Sequence, residues 1–290
     1  MRESRIDSKH NFFYFEKLEM NSDIISEKYS DLIRLSLNKK DEYINAKPFP
    51  FILLDNFFNA DYLDKILDDF PDMLKSKYSY KFETRNDKKL STTSPKIFSD
   101  NTNHFVNFLN SYKFLDFLQS LTGLKSHLIP DPYFWGGGLH EIKRGGFLKI
   151  HADYNVHPQL KLNRRVNILI YLNKDWKEEW NGHLEFWNKD MSKCEYKILP
   201  NFNRIVIFNT NDFSYHGHPT PIDCPENVSR KSLALYYYTN GRPESEINKK
   251  LPVHSALYQN RKNSDDNVDK TMVEFKKIFG KFYIRKKTTY

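Results

Sequence analysis

The chain has 290 residues, 39% of them hydrophobic, a mean hydropathy of −0.72, two cysteines and a formal net charge of +8. That length buries one large core or two modest ones. No apolar run approaches the roughly 18 residues of a membrane-crossing helix. No apolar segment follows the charged start Met1–Asp7 as a secretion signal requires, so Cys194 and Cys224 are expected as reduced thiols in a cytoplasmic protein. The basic balance reads first as a solvated surface, densest at Lys276, Lys277, Lys281, Arg285, Lys286 and Lys287. A nucleic acid or another polyanion is the alternative partner.

Residues 1–47 read as a polar arm, with a helix over Ile24–Leu37 where apolar residues recur at helical spacing. Pro48 and Pro50 end it, and Phe51–Asp55 reads as a buried strand. Asn59 is placed to cap a helix that Pro71 ends. Residues 76–98, rich in Lys, Ser and Thr, read as a mobile loop over a site. Asn103–Leu121 sets Phe105, Phe108, Leu109, Phe114, Phe117 and Leu118 on one helical stripe. From Trp135 the pattern turns to strands punctuated by Asn, Asp, Gly and Pro every ten residues or so, as in a sandwich or barrel. Gly136-Gly137-Gly138 lacks the Gly-Lys-Ser/Thr of a phosphate loop and reads as a bulge or a close backbone approach. The tail 244–270 is polar and irregular, and Thr271–Phe279 reads as a last helix.

The chemistry concentrates in two places. His151 and Asp153 lie two residues apart, hence on one face of a strand. A second histidine from a distant strand completes a two-histidine, one-carboxylate facial set that suits non-haem Fe(II) and leaves coordination positions open. His216 and His218 compete for that place, because an extended segment puts both on the same face. Downstream, Arg230 and Ser232 share a face of the strand Ser229–Tyr238. Arginine offers a planar fork that matches a carboxylate, with a hydroxyl beside it.

Six pieces occur in one order: Gly146–Asp153, Val166–Asn173, Gly182–Phe186, Arg204–Phe208, Ser214–Gly217 and the Arg230 strand. In that order they resemble the Fe(II)/2-oxoglutarate-dependent oxygenases of the prolyl 4-hydroxylase type. The resemblance runs from about Pro48 to Arg242. It implies a mainly β fold with flanking helices (α+β) on a double-stranded β-helix, or jelly-roll, core. It divides the chain into an arm (1–47), an oxygenase domain (48–243) and a basic extension (244–290). It also implies Fe(II), 2-oxoglutarate and O2, with ascorbate as an accessory reductant, and a small-molecule co-substrate beside a substrate that the sequence does not name: a prolyl peptide, an amino acid or a glycan.

The family's Ser-x-His pattern favours His216 as the third metal ligand and leaves His218 lining the site or behind it. His183 reads as a core or cleft histidine. Arg230 and Ser232 are assigned to the distal carboxylate of 2-oxoglutarate, with Lys231 as the fallback although alternation points it away. The resemblance gives Tyr171 a hydroxyl donated to that same carboxylate, against a packed core tyrosine as the alternative. The tyrosine the family often carries before the Gly-x-x-His-x-Asp segment is missing from Gly138–Ile142, leaving one co-substrate contact unassigned. Two other classes compete: a cupin-type metal protein without oxygenase activity, and a degenerate oxygenase fold acting as a binding module.

Overall fold

The computed structural model describes residues 23–92, 94–248, 251 and 253–270. The expected helix at Thr271–Phe279 and the basic run Lys276–Lys287 lie outside them. In chain order the elements are α1 (Leu32–Asn45), β1 (Phe51–Asp55), α2 (Ala60–Asp68), β2 (Ser79–Glu83), β3 (Asp87–Thr92), α3 (Asp100–Leu109) and α4 (Tyr112–Thr122). Then follow β4 (Ile129–Pro130), β5 (Gly138–Lys143), β6 (Phe147–Ala152), β7 (Asn163–Tyr171), β8 (Leu184–Trp187), β9 (Cys194–Ile198), β10 (Arg204–Asn209), β11 (His216–His218), β12 (Ser229–Thr239) and β13 (Leu257–Tyr258).

The strands form one curled sheet in the order β1-β10-β7-β12-β5-β3-β6-β11-β8-β9, with antiparallel neighbours throughout. Strand alternation divides its side chains into two layers. On β7, β10 and β12, Ile168, Ile170, Ile205, Ile207, Leu233 and Leu235 face the helices and pack with Phe105, Phe114 and Phe117. Their neighbours Tyr171, Val206 and Phe208 face inward and meet Phe186 and Leu184 from the other half of the sheet. Both faces of the central strands are therefore covered, and inward positions are free to carry chemistry. This is the jelly-roll architecture implied above, with the helices outside the larger half-sheet.

Several local expectations shift. The first helix starts at Leu32 rather than Ile24, because Asp31 accepts the Arg34 N–H at 2.9 Å and fixes the start there. Ile24 and Ile25 leave the helix and are buried, and Ile25 bridges to Phe58. Asn59 caps α2 as expected, accepting from the N–H groups of Asp61 and Tyr62. The stripe over Asn103–Leu121 is split into α3 and α4 at Asn110-Ser111, two residues that favour helix ends over helix interiors. The loop expected at 76–98 is instead largely a hairpin, β2 and β3, and β3 extends the sheet by pairing with both β5 and β6. Part of the expected irregular tail is the strand β13, paired to β6. At Gly137 the close approach is real: a Cβ there would sit 2.6 Å from the Ala234 carbonyl oxygen.

Asn203 ties the turn after β1 to the sheet. It is 1% exposed, its Oδ1 accepts from the Phe58 N–H at 2.9 Å and its Nδ2 donates to the Phe58 carbonyl at 2.7 Å. Its φ of 59° lies in the left-handed region, which asparagine tolerates better than most residues. Asn203→Ala leaves both backbone groups of Phe58 buried and unpaired, and should lower unfolding stability by about 2–4 kcal/mol in urea titrations. A loss below about 0.5 kcal/mol would mean that water replaces the amide.

Candidate active site

β6 delivers His151 at its inward end and Asp153 just beyond it, and β11 pairs antiparallel so that His216 stands opposite His151. Gly217 permits this approach, since a Cβ there would lie 2.7 Å from the Leu148 carbonyl oxygen. The ligand atoms of His151, Asp153 and His216 lie within 4.8 Å of one another. Each histidine Nε2 is 3.4 Å from an Asp153 oxygen: His151 from Oδ1 and His216 from Oδ2.

The imidazole tautomers are set locally. His151 Nδ1 donates to the Lys149 carbonyl and His216 Nδ1 to the Ser214 carbonyl, each at 2.8 Å. A carbonyl only accepts, so each Nδ1 carries the proton and each Nε2 turns a lone pair inward. Two neutral nitrogens and one carboxylate are the donor set that a divalent first-row cation with open positions takes. These residues fit Fe(II). Aromatic rings close the surroundings: Tyr258 lies 5.2 Å from the His151 ring and Phe208 4.8 Å, edge-on, from that of His216.

Two further residues, Arg164 and Asn167, hold Asp153. Arg164 Nη2 donates to Asp153 Oδ2 at 2.9 Å, Asn167 Nδ2 donates to the same oxygen at 2.8 Å, and Arg164 Nε donates to Asn167 Oδ1 at 2.8 Å. The guanidinium is stacked 3.4 Å from the Tyr236 ring. Burial pushes the Asp153 pKa up, but Arg164 and the two histidines outweigh it and hold the carboxyl well below the usual range. The sequence carries one signal for Arg164, a charge leading into an apolar strand. Strict alternation, however, turns Arg165 inward instead. The register shift between β7 and β12 skips Arg165, so Arg164 and Asn167 share the inner face despite their odd spacing.

At the other end of the cleft, Arg230 is 4% exposed. Its Nε donates to the Gly182 carbonyl at 2.8 Å and its Nη2 to the Tyr171 hydroxyl at 3.2 Å. Among the described residues no carboxylate pairs with it. Ser232 follows on the same face, buried and opposite Tyr171 in the β12–β7 register. Lys231 points away, toward the Phe70 ring. His218 is buried, and together with Gly182 and His183 it lines a cavity of about 220 Å³. The sequence-derived candidates thus fall into two adjoining groups: His151, Asp153 and His216, then Tyr171, Arg230 and Ser232. Tyr258 had no signal, since it arrives from the tail.

Residues 137–238 match the model of the 2OG-Fe(II) oxygenase superfamily. No curated protein matches the chain. Among solved structures, a prolyl hydroxylase from Trichoplax adhaerens, in complex with a hypoxia inducible factor oxygen degradation domain peptide fragment, is similar at 18% identity. Its TM-score is 0.53, covering 73% of this chain and 92% of that one. A prolyl-4-hydroxylase from Pseudomonas putida is similar at 13% identity with a TM-score of 0.51, covering 72% of this chain and all of the other. These likenesses establish the fold.

Arg164→Leu strands the Asp153 carboxylate and should cost about 3–5 kcal/mol of stability in the metal-free protein. Mn(II) should recover more of that loss than it adds to the wild type, because the ion supplies the missing positive charge. Equal Mn(II) increments in thermal unfolding would contradict the role given to Arg164.

Acid should destabilise the metal-free protein. Burial pushes His140 down to about 3 and His216 down to about 4, against 6.5 for a free imidazole. The unfolded chain therefore takes up protons first, and stability is lost as pH falls from 6.5 through about 4. Urea midpoints that stay flat across that window would show that these rings titrate normally.

Proposed function

We propose that this 2-oxoglutarate- and Fe(II)-dependent oxygenase of the prolyl 4-hydroxylase type hydroxylates a C–H bond in a prolyl peptide, amino acid or glycan, releasing succinate and CO2. The observation that carries the reading is Arg230, a buried guanidinium with no carboxylate partner, on the same inner surface as a metal-ready donor set. A buried cation without a counter-ion is costly, and the distal carboxylate of 2-oxoglutarate supplies one. A cupin-type metal protein has no use for such a residue, and a degenerate binding module has no use for tautomer-locked histidines.

His151, Asp153 and His216 would hold Fe(II). Fe(II) held there would supply the chemistry of a hydroxylation coupled to decarboxylation of 2-oxoglutarate, in which one oxygen atom of O2 goes to the substrate carbon and the other to succinate. The chain's own residues position and exclude. Arg230 and Ser232 bind the distal carboxylate. The Tyr171 oxygen accepts from Arg230, which leaves its hydrogen free for the same carboxylate. Burial raises the Tyr171 pKa, with Arg230 pulling against it, so the phenol stays protonated as a donor. Arg164 and Asn167 keep Asp153 ionised and fixed, while Tyr258 and Phe208 keep water from the imidazoles.

In this reading residues 48–243 form the oxygenase unit, with 1–47 as its arm and 244–290 as its basic extension. Both structural neighbours are prolyl hydroxylases, which puts prolyl peptides first among substrates to try. Ascorbate serves as accessory reductant, and the free thiols of Cys194 and Cys224 suit a cytoplasmic setting. No helix among the described residues is long and apolar enough to cross a membrane.

Purified protein with Fe(II), ascorbate and 2-oxoglutarate should release succinate, with a product heavier by one oxygen atom when the right substrate is present. His151→Ala and Asp153→Ala should lose both iron and turnover. Unchanged iron stoichiometry in those two variants would sink the metal assignment.

Arg230→Ala should retain iron and weaken 2-oxoglutarate by about 2–5 kcal/mol, tens- to thousands-fold in affinity. Arg230→Lys should be intermediate, keeping the charge without the fork. A large loss in Lys231→Ala with wild-type affinity in Arg230→Ala would reverse the face of β12 that meets the co-substrate.

A further inference from the structure

The co-substrate end of the cleft contains buried nitrogens that nothing in the fold satisfies. His218 is 3% exposed, and neither of its ring nitrogens has a hydrogen-bond partner. His140, opposite Ser232 in the β5–β12 register, also buries an unpartnered Nε2. Folded interiors rarely leave such atoms unpaired, so each points to a group that arrives from outside. Both rings lie in the field of Arg230 and Lys89. The cavity that His218 lines reaches Gly182, whose carbonyl is held by Arg230 Nε. Glu178, Glu185 and Lys197 line the outer part of that cavity, while on its Gly182 side an unpartnered imidazole lies beside an uncompensated guanidinium, a pairing that an anion satisfies.

The two histidines are not equivalent. Backbone carbonyls of Gly136 and Gly137 take the hydrogen of the other His140 nitrogen. The Nε2 of the neutral His140 ring is therefore an acceptor, and a carboxylate has nothing to donate to it. His218 has no such tie. In either protonation state it has at least one N–H to give, and no protein acceptor receives it.

We propose that His218 is a second anchor for the distal carboxylate of 2-oxoglutarate, donating its N–H to that group alongside Arg230 and Tyr171. The proposal rests on the oxygenase reading above. It fills the co-substrate contact left open by the missing tyrosine in Gly138–Ile142, from a different strand and with a different donor. His140 lies behind this contact as an acceptor for a hydroxyl or a water.

The test separates the two ends of the keto acid. Mn(II)-loaded wild type, His218→Val and His218→Asn are titrated with 2-oxoglutarate and with pyruvate, which shares the keto-acid end but lacks the distal carboxylate. His218→Val should bind 2-oxoglutarate about 10- to 150-fold more weakly, the range for losing one hydrogen bond to a charged group. Its Mn(II) and pyruvate affinities should stay at wild-type values. His218→Asn, which keeps an N–H, should recover part of the loss. Should the valine variant not fold, His218→Met removes the donor at similar volume.

Unchanged 2-oxoglutarate affinity in the donor-free variant overturns the second anchor. So does an equal loss for both acids, which would mean that His218 only supports the metal end. Wild-type protein that takes up Mn(II) but not 2-oxoglutarate overturns the oxygenase reading itself, and the anchor with it.

Discussion

One cross-strand pairing brings the three metal-competent side chains together: His216 of β11 opposite His151 of β6. β11 is only three residues long and comes 65 positions after His151 (216 − 151). Nothing local holds it there. The pairing with β6 on one side and β8 on the other does, and the bare Cα of Gly217 lets the backbones meet. Once the strands are joined, the rest follows from short-range geometry. Each imidazole bonds the carbonyl two residues earlier in the chain, Lys149 within β6 and Ser214 in the turn before β11. The two Nε2 lone pairs therefore converge without either ring depending on the other.

The inner surface of the sheet carries two buried arginines with opposite circumstances. Arg164 faces a carboxylate, an amide and an aromatic ring, so its charge is compensated within the fold. Although burial opposes its charge, Asp153 lifts its pKa above the ordinary arginine value. Arg230 has a carbonyl and a phenol for company, and burial lowers its pKa instead. The contrast sets a division of labour within one cleft. The compensated arginine stabilises the Asp153 carboxylate within the fold, whereas the uncompensated one leaves a buried charge open to a partner from outside.

Much of this was legible in the sequence because alternation is a reliable guide in strands covered on both faces. His151 with Asp153, and Arg230 with Ser232, keep the two-residue spacing that the pleat demands. Asn59 reads as a cap for the same reason it acts as one, a short side chain that reaches the next N–H groups. What stayed hidden are features that break a period or join distant segments. Arg164 is turned inward by a skipped residue that no local pattern announces. The hairpin β2–β3 looks like a loop because its exposed face is rich in lysine and its partners β5 and β6 are some fifty residues on. The helix expected from Ile24 starts late because Ile24 and Ile25 find a better place against the turn after β1, and hydrophobic spacing alone does not tell a helix face from an extended anchor.

The short strand β13 extends these relations beyond the residues that match the family model. β3 covers the outer edge of β6 at Phe147 and Leu148 and then stops, and β13 takes over the same edge at His151 and Ala152. Asn86 and Lys149 clasp the following stretch near Asn267 and Asp269. An incoming extended chain therefore finds no free backbone edge beside His151 to zip onto, because β11 and β13 occupy both sides of it. The wetness of one ligand is also governed from outside the family-matched segment. Two chains identical from residue 137 to 238 but different at position 258 would bring His151, Asp153 and His216 together in the same way, with a different dielectric around the His151 ring.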